Sequence, residues 1–525
     1  MVLFNYLIFL VPCLLTNAIN IPCTPKNFGT SEIPKIVCVC TKSKCDTLQN
    51  FDPSELTTTI GIITTTQAGK RFEKTLQAKQ SVNKQMEAVD AIIHINITEQ
   101  YQQIIGFGGA FTDSFGININ KLTTPARNRL MYGYFSKEGL EYTIARVPIG
   151  STDFSTSVYS YDEVVDDFEL KNFNLTTEDF TLKIPYIKEA VIYSGNTLKL
   201  YASAWAPPAW MKTNNKQDGG APLKGEVGGQ YYETWSNYYI KFFEAYQKQG
   251  INFWGVTSGN EPTSGNFKDY AWQSLLFTPK TQKEFLKTNL GPKIRSNPSF
   301  KNMKIMILDD DREVLPAWAD DVLEDSEMDK YVDGVGVHWY MDNIFPASNL
   351  EETYKKHPTK FVLGTEACTG STIFSKGPIP GNWNRGESYL FSIIDYLNHY
   401  ASGWTDWNFA LDMDGGPSWA KNNVDAPILI DAHNQQFYRQ PMFYALGHVS
   451  KFVKPGGVRI YSKLSKQIIG VEIVSVKNLD GTKATVILNK NNYDLKFQFD
   501  VVGSSSNDVG VIAVEKFSFT TVVWK

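Results

Sequence analysis

The sequence predicts an α/β fold, a (β/α)8 TIM barrel with an accompanying β-sandwich domain and a small disulfide-stapled N-terminal segment. Apolar runs alternate with helix-like spans over residues 101–455, which indicates parallel strands joined by helices. Strict alternation of apolar and polar residues over 55–100 and 456–525 is typical of antiparallel strands, and we expect both stretches to complete one sandwich. Four cysteines crowd into residues 19–54.

Eight apolar runs in the central region predict the barrel strands, and each run closes on polar or aromatic residues. They are 104–111, 142–148, 198–205, 252–256, 304–308, 334–340, 361–364 and 403–407. Aromatic residues recur at helical spacing over 231–249, which predicts one of the connecting helices. A stretch rich in Gly, Pro and Asn follows the eighth run, and we expect a loop insertion around 409–440.

The N-terminal region predicts export. Residues 1–18 contain an apolar run from Tyr6 to Leu15, too short to span a bilayer, and end on the small residue Ala18, so they predict a secretory signal peptide. No second apolar stretch approaches the length of a spanning helix, so we expect a soluble mature chain. The crowded cysteines then predict two disulfides in one of three connectivities, with a zinc knuckle as the alternative. Sequons at Asn96 and Asn174 predict surface N-glycosylation.

The composition argues against a nucleic-acid partner. Charged residues make up 20% of the chain and the net charge is -4, so there is no basic footprint. Twelve Trp, 26 Tyr and 32 Phe supply flat faces that can stack on sugars as well as fill a core.

Two glutamates at predicted strand ends are the candidate catalytic pair. Glu366 follows the run 361–364, and Glu261 follows the run 252–256 within Asn260-Glu261-Pro262. Catalytic groups of a parallel barrel sit at the carboxyl ends of its strands, and Pro262 biases Glu261 toward an extended conformation there. A glutamate capping a helix or pairing with a surface cation is the alternative for Glu261 alone. Together the pair fits retaining glycoside hydrolysis, although the spacing does not say which residue is the nucleophile.

The other predicted strand ends supply a candidate sugar pocket of aromatic and hydrogen-bonding side chains. It comprises Arg146, Asp153, Trp205, His338, Trp339, Tyr340, Trp407 and Asn422. Core packing is the alternative for each tryptophan, and a structural role is the alternative for His338. The run Asp309-Asp310-Asp311 does not fit a calcium loop and is interpreted as a polar strand end. Cys368 is interpreted as a buried free thiol.

The motifs GFGGAFTDS, ARVPIGSTDF, ASAWAPPAWMKTN, SGNEP, GVHWY, TEACTG, GWTDWN and QPMFYALGHVSKF together resemble the glucosylceramidases of glycoside hydrolase family thirty, over essentially the whole mature chain. The resemblance implies Glu261 as acid/base and Glu366 as nucleophile. The residues that it implies as glucose ligands are Asp153, Trp205, Asn260, Trp407 and Asn422. Arg146 and Tyr340 would orient the nucleophile with His338 nearby, and Cys23 would pair with Cys38 and Cys40 with Cys45.

The same resemblance implies hydrolysis of glucosylceramide without metal or organic cofactor, in the lysosome lumen, at the membrane lipid surface and with a saposin-type activator. Secretion is the alternative location. The chain departs from the family pattern mainly at 214–229 and 370–383, so the preference for the aglycone is the open question. The rival hypotheses are a β-glucosidase for steryl or other β-glucosides and a noncatalytic glycolipid-binding protein.

Overall fold

A computed structural model describes residues 20–79, 88–372, 375–503 and 509–525 of the chain. The predicted signal peptide, 1–18, lies outside the described residues. Among the described helices, none combines the length and hydrophobicity needed to cross a bilayer.

The N-terminal region contains short strands and one short helix. They are β1 (Pro25–Asn27), β2 (Ile36–Cys40), α1 (Glu55–Thr58), β3 (Thr59–Thr66), β4 (Glu73–Ala78) and β5 (Ala91–Gln103). Disulfides Cys23–Cys38 and Cys40–Cys45 close this region, with Cα–Cα distances of 5.2 and 4.4 Å. These are the pairs that the family resemblance implied.

The central region forms a closed barrel of parallel strands, as predicted. Its strands are β6 (Gly106–Ala110), β7 (Ile144–Ile149), β8 (Lys199–Ala204), β9 (Gly255–Thr257), β10 (Lys304–Asp311), β11 (Gly334–His338), β12 (Phe361–Glu366) and β13 (Ala401–Asn408). β6 closes the ring by pairing with both β13 and β7. Strands this fully buried read as continuous apolar runs, which is why the sequence predicted all of them.

Helices surround this barrel. They are α2 (Asp113–Asn120), α3 (Thr124–Phe135), α4 (Ile184–Tyr193), α5 (Gln230–Lys248), α6 (Pro279–Phe285), α7 (Gly291–Ser296), α8 (Ala317–Leu323), α9 (Ser348–Lys356) and α10 (Trp383–Asn398). Inside the ring, Ile144, Tyr201, Met306 and Leu363 pack together in one buried cluster. This packed interior leaves the carboxyl ends of the strands as the place for a site.

The expected loop insertion at 409–440 is not simply a loop. It contains β14 (Ala410–Asp412), β15 (Ile428–Asp431) and β16 (Gln436–Arg439), and α11 (Pro441–Ser450) follows. β16 pairs with β2 in the stapled segment, so one five-stranded sheet, ordered β1-β2-β16-β15-β14, joins two distant parts of the chain. Strands this short show little periodicity, which is why the sequence did not reveal them.

The C-terminal strands form a second large sheet. They are β17 (Val458–Leu464), β18 (Val471–Lys477), β19 (Lys483–Asn489), β20 (Leu495–Val502), β21 (Val511–Val514) and β22 (Ser518–Trp524). Together with three earlier strands they make a nine-stranded sheet in the order β21-β20-β5-β17-β18-β19-β22-β3-β4. The sheet packs on the barrel through α10 and α11, where the rings of Trp383 and Phe519 stack 4.3 Å apart.

Candidate active site

The two predicted catalytic glutamates lie side by side at the carboxyl ends of barrel strands. Glu366 is the last residue of β12 and is buried. Glu261 lies four residues after β9 and directly precedes a 3-10 turn, Pro262–Asn266. One carboxylate oxygen of Glu261 and one of Glu366 lie within 4.8 Å of each other, close to the separation of about 5 to 5.5 Å between carboxyl groups of retaining glycosidases.

The backbone of Glu261 is left-handed, with φ 43° and ψ 61°, and not extended as Pro262 predicted. The local bias of a residue before proline is overruled because the Glu261 amide donates to the carbonyl of Asp309 at 2.9 Å. Leu308 and Asp309 are also left-handed, at a register shift between β10 and β11. Such strained backbone is found at functional sites, where surrounding contacts hold it in place.

Glu366 is held by a buried cation and a phenol. Arg146 donates through Nη1 to Glu366, and Tyr340 donates its hydroxyl to Glu366 Oε1 at 2.6 Å. The same guanidinium donates to Asn260 Oδ1 at 2.8 Å and to Asp309 Oδ2 at 2.7 Å. The planar guanidinium of Arg146 therefore fixes the side chains of Glu366, Asn260 and Asp309 relative to one another.

Glu261 is held by a matching pair of partners. Tyr270 donates its hydroxyl to Glu261 Oε2 at 2.8 Å, and His338 Nδ1 lies 3.3 Å from Glu261 Oε1. The other ring nitrogen, Nε2, lies 3.1 Å from Asp309 Oδ1. Burial lowers the pKa of His338, but the charge of Glu366 and the hydrogen bonds to Asp309 and Glu261 outweigh it and raise the pKa well above its usual value. Both ring nitrogens of His338 lie against carboxylate oxygens, an arrangement that favours the protonated imidazole.

The carboxylates around the glutamate pair outnumber the positive charges by one. Arg146 and His338 supply two positive charges, and Glu261, Asp309 and Glu366 supply three carboxylates. Two positive charges do not offset three buried carboxylates, so the cluster favours the uptake of one proton. Asp309 stays ionised because Arg146 and His338 lower its pKa despite its burial.

The shared proton belongs to the glutamate pair. Burial raises the pKa of Glu366 above its usual value, with the charge of Glu261 adding to this and His338 and Arg146 opposing it. Burial also raises the pKa of Glu261, but the hydrogen bond and charge of His338, with Tyr270 and Arg146, outweigh it and lower that pKa. Because the two carboxyl groups are this close, they titrate as one unit.

Aromatic rings and a buried carboxyl group lie beside the pair. Trp205 and Trp407 stack with their ring centroids 5.1 Å apart, and the Arg146 guanidinium lies 4.7 Å from the Trp205 ring. Asn422 Nδ2 donates to Asp153 Oδ2 at 2.9 Å. Burial, against the Asn422 hydrogen bond and with the charges of Glu366 and Glu261, raises the pKa of Asp153 to about 8.

A metal ion does not fit the donor atoms at the pair. Glu261, His338 and Glu366 each place one oxygen or nitrogen within 4.8 Å of the others, which is a geometry that could hold a cation. However, both nitrogens of His338 lie against carboxylate oxygens, and a protonated imidazole has no lone pair to give. The other described group of this kind, Cys40, Cys45 and Asp46, includes a disulfide.

The structure brings the candidate pocket residues around the two glutamates, except that the Trp339 ring packs against Tyr389 and Trp404 and its Nε1 donates to the carbonyl of Cys368 at 3.1 Å. It also adds residues that the sequence analysis missed, namely Ser203, Thr257, Tyr270 and Asp309. Asp309 lies at the polar end of β10, as interpreted, but it is completely buried and accepts hydrogen bonds from Arg146, Ser203 and Thr257, a part in the site that the sequence analysis did not give it. Its place directly after the run 304–308 was the signal that could have found it, whereas the loop residue Tyr270 gave none.

Cys368 is buried, as expected, and forms no disulfide. Its Sγ lies 3.5 Å from the Tyr340 hydroxyl, and burial raises the pKa of its thiol well above the usual value. A thiol with so little thiolate is a packing group.

Comparisons with known proteins agree with this geometry. Residues 104–453 match the model of the glycosyl hydrolase family 30 TIM-barrel domain, and residues 456–522 match that of the family 30 beta sandwich domain. The chain is 43% identical over 503 residues to putative glucosylceramidase 3 of Caenorhabditis elegans, covering 96% of this chain and 95% of the relative. It is 40% identical over 509 residues to the lysosomal acid glucosylceramidase of Mus musculus, covering 96% of each protein.

A solved structure supports the same relation. The crystal structure of SrfJ from Salmonella typhimurium superposes with a TM-score of 0.80 at 27% identity, covering 89% of this chain and 99% of SrfJ. The predicted β-sandwich is thus confirmed together with the barrel.

Proposed function

The chain belongs to glycosyl hydrolase family 30 and is similar to glucosylceramidases along nearly its whole length, and on that basis we propose that it hydrolyses glucosylceramide to glucose and ceramide as a retaining β-glucosidase. The observation that carries the proposal is the approach of Glu261 and Glu366 to within 4.8 Å, each held by one cation and one tyrosine. An inverting enzyme needs its carboxyl groups about 6.5 to 9.5 Å apart, which leaves room for a water molecule.

In the first step Glu366 attacks the anomeric carbon while Glu261 gives its proton to the glycosidic oxygen, and ceramide leaves. The products of this step are a glucosyl ester on Glu366 and an ionised Glu261. In the second step Glu261 takes a proton from water, which attacks the anomeric carbon and releases glucose with its original β configuration. Forming the ester removes the charge of Glu366, so Glu261 can then act as a base.

The first step needs the proton on Glu261 and the charge on Glu366. Arg146 and Tyr340 both donate to Glu366 and stabilise its ionised form. The charge of His338 favours the opposite placement, with the proton on Glu366. Because the two placements share one net charge, the pH profile of kcat/KM reports the pair and not either residue.

The glucose ring would lie against the aromatic rings beside the pair. Trp205 and Trp407 stack on each other there, and Asp153, Asn260 and Asn422 offer hydrogen-bonding groups for sugar hydroxyls. A pKa of about 8 makes Asp153 neutral at acid pH, so its carboxyl group can both donate and accept. Asn260, next to the acid/base, would meet the 2-hydroxyl.

A lipid substrate requires contact with a membrane surface. Exposed apolar side chains lie on loops that follow barrel strands, at the catalytic end, and we call Val164, Val165 and Ile344 the rim. Val165 is 67% exposed and Ile344 is 70% exposed. Peripheral contact of the rim with lipid, assisted by a saposin-type activator, fits this substrate.

We place the protein in the lysosome lumen, reached through the secretory pathway. The relative in Mus musculus is named a lysosomal enzyme, and the two disulfides fit an oxidising route. Asn174 is exposed and Asn96 is half-buried on β5, so Asn174 is the better placed of the two proposed glycosylation sites.

Comparison of substrates tests the proposal directly. Purified protein should turn over glucosylceramide faster than cholesteryl glucoside in mixed micelles, and the Glu366→Gln variant should turn over neither. Faster turnover of cholesteryl glucoside would select the steryl glucosidase instead. Binding of glucosylceramide without any turnover by the wild-type protein would select the noncatalytic glycolipid-binding protein.

A further inference from the structure

The segment 267–273, which we call the strap, contacts both Glu261 and the loop that carries Asp153. It follows the turn Pro262–Asn266 and contains no regular helix or strand. Its outer residues are exposed, with Phe267 63% exposed, whereas Gln273 is buried. The strap is therefore fixed to the protein at its buried end, Gln273, and its other residues lie near the surface.

The strap holds the carboxyl group of Glu261 through Tyr270. The Tyr270 hydroxyl donates to Glu261 Oε2 at 2.8 Å, and the ring packs edge-on against Trp272 with a centroid distance of 4.9 Å. His338 approaches the other oxygen, Oε1, so the two partners fix both ends of the carboxyl group. A carboxyl group with a hydrogen-bonding partner at each oxygen cannot rotate freely.

The strap also holds the loop that carries Asp153. Gln273 Nε2 donates to Ser151 Oγ at 2.9 Å and to the carbonyl of Thr152 at 3.2 Å. These acceptors directly precede Asp153, the group placed against the sugar. One side chain of the strap therefore reaches the acid/base and another reaches the glucose-binding loop.

The strap is itself braced by the loop that follows β8. Gly219 donates its amide to the carbonyl of Trp272 at 3.2 Å, and Gly220 donates to the carbonyl of Phe267 at 2.9 Å. Asp218 and Gln273 form an isolated antiparallel bridge. A Cβ atom at Gly220 would lie 2.6 Å from the carbonyl oxygen of Phe267, so the two segments are in close backbone contact.

We propose that Tyr270 is a positioning residue for the acid/base, and that the strap sets the distance between Glu261 and the glucose ring by joining Tyr270 to Gln273. This inference rests on the proposed function. Tyr270 acts through Glu261 and Gln273 acts through the loop of Asp153, so removing each one should impair a different kinetic parameter.

Leaving-group dependence tests the part played by Tyr270. A general acid matters most when the leaving group is poor, so Tyr270→Phe should lower kcat/KM about tenfold for an alkyl β-glucoside and less than about threefold for 2,4-dinitrophenyl β-glucoside. The matched control is Tyr340→Phe, which removes the corresponding bond to Glu366 and should impair both substrates alike. Concentrations of active enzyme come from titration with a mechanism-based inhibitor, so misfolded protein does not enter the comparison.

The pH profile gives a second readout. The hydrogen bond from Tyr270 favours the ionised form of Glu261, so Tyr270→Phe should move the alkaline limb of kcat/KM to higher pH. Gln273→Ala should raise KM for both glucosides with kcat less affected, because it releases the loop of Asp153.

Three results would overturn the inference. They are equal losses on both glucosides in Tyr270→Phe, an unmoved alkaline limb, and an unchanged KM in Gln273→Ala. If the wild-type protein turns over neither glucoside, the proposed function itself has failed, which is a distinct outcome.

Discussion

At the scale of single residues, the site contains more buried carboxylates than cations, and Arg146 and His338 each contact more than one acceptor. Arg146 contacts Glu366, Asn260 and Asp309, so its guanidinium connects one strand-end glutamate and the residue before the other to one buried anion. Asp309 in turn accepts from Arg146 and lies against His338. The ionised Asp309 is thus what keeps both cations in place.

Asp309→Asn should impair catalysis while preserving the fold. An amide keeps the shape of the side chain but removes the charge that balances two cations, so we expect kcat to fall about a hundredfold. Circular dichroism and the thermal midpoint show whether the fold is retained. Asp310→Asn, on the neighbouring side chain that accepts from Thr263, is the control and should lose less activity. Equal losses of kcat in the two variants would contradict the proposal that the charge of Asp309 is needed to balance Arg146 and His338.

The sequence predicted the position of individual residues at the barrel's catalytic end where they directly end an apolar run. Glu366 and Trp407 were identified in this way, because the carboxyl ends of all the parallel strands lie at the same end of the barrel. Asp309 follows the same rule, but nothing in the sequence distinguishes it from Asp310 and Asp311 until the left-handed backbone at Leu308 and Asp309 turns one carboxylate inward. Tyr270 lies in a loop without periodicity, so only the folded chain shows its contact.

At the scale of elements, the barrel strands were predictable and the small sheet was not. Apolar runs mark strands that are buried on both faces, and their order follows from the alternation with helices. The small sheet depends on pairing of β2 with β16, for example Val39 with Tyr438. Pairing between segments this far apart in the chain leaves no local pattern.

His448 makes the junction between α11 and the large sheet sensitive to acid. It is buried between Thr65 and Thr521, and burial lowers its pKa to about 3. Since its unfolded value is higher, the stability it contributes is present at neutral pH and is lost as the pH falls from about 6.5 toward 3.

We therefore expect His448→Gln to lose less stability between pH 7 and pH 5 than the wild-type protein, by about 2 kcal/mol. Urea unfolding at both pH values measures the difference. The exposed His433→Gln serves as the control and should behave like the wild-type protein. Identical pH dependence of wild type and His448→Gln would show that the junction does not titrate.

The rim is the element that the proposed lipid contact depends on. The double variant Val165→Asp, Ile344→Asp should bind vesicles about tenfold more weakly, since it places charges where apolar side chains meet lipid, and should keep its turnover of a soluble aryl β-glucoside. Ile469→Asp, Leu479→Asp is the matched control, because both residues are at least as exposed but lie on the large sheet. Equal weakening of vesicle binding in both double variants would show that the rim is not the lipid-contacting surface.

At the scale of the whole molecule, buried carboxyl groups favour an acid environment. Burial is the largest cause that raises the pKa of Asp311 to about 8, of Asp342 to about 7 and of Asp310 to about 6. A folded pKa above the unfolded value means that the stability is complete below about pH 4 and is lost as the pH rises through these values.

The thermal midpoint should therefore fall as the pH rises from 5 to 8, and Asp311→Asn should show a smaller fall because it removes one such group. Differential scanning calorimetry at pH 5, 6.5 and 8 measures it, with the exposed Asp321→Asn as the control. A midpoint that rises over this range would show that other groups dominate.

The central claim, that Glu366 is the nucleophile of a retaining β-glucosidase, is tested most directly by covalent labelling. A mechanism-based glucose epoxide should form an ester with the nucleophile, and peptide mapping by mass spectrometry locates it. We predict a single adduct on the peptide that contains Glu366, formed in step with the loss of activity and absent from Glu366→Gln. An adduct on Glu261, or loss of activity without any adduct on Glu366, would contradict the account.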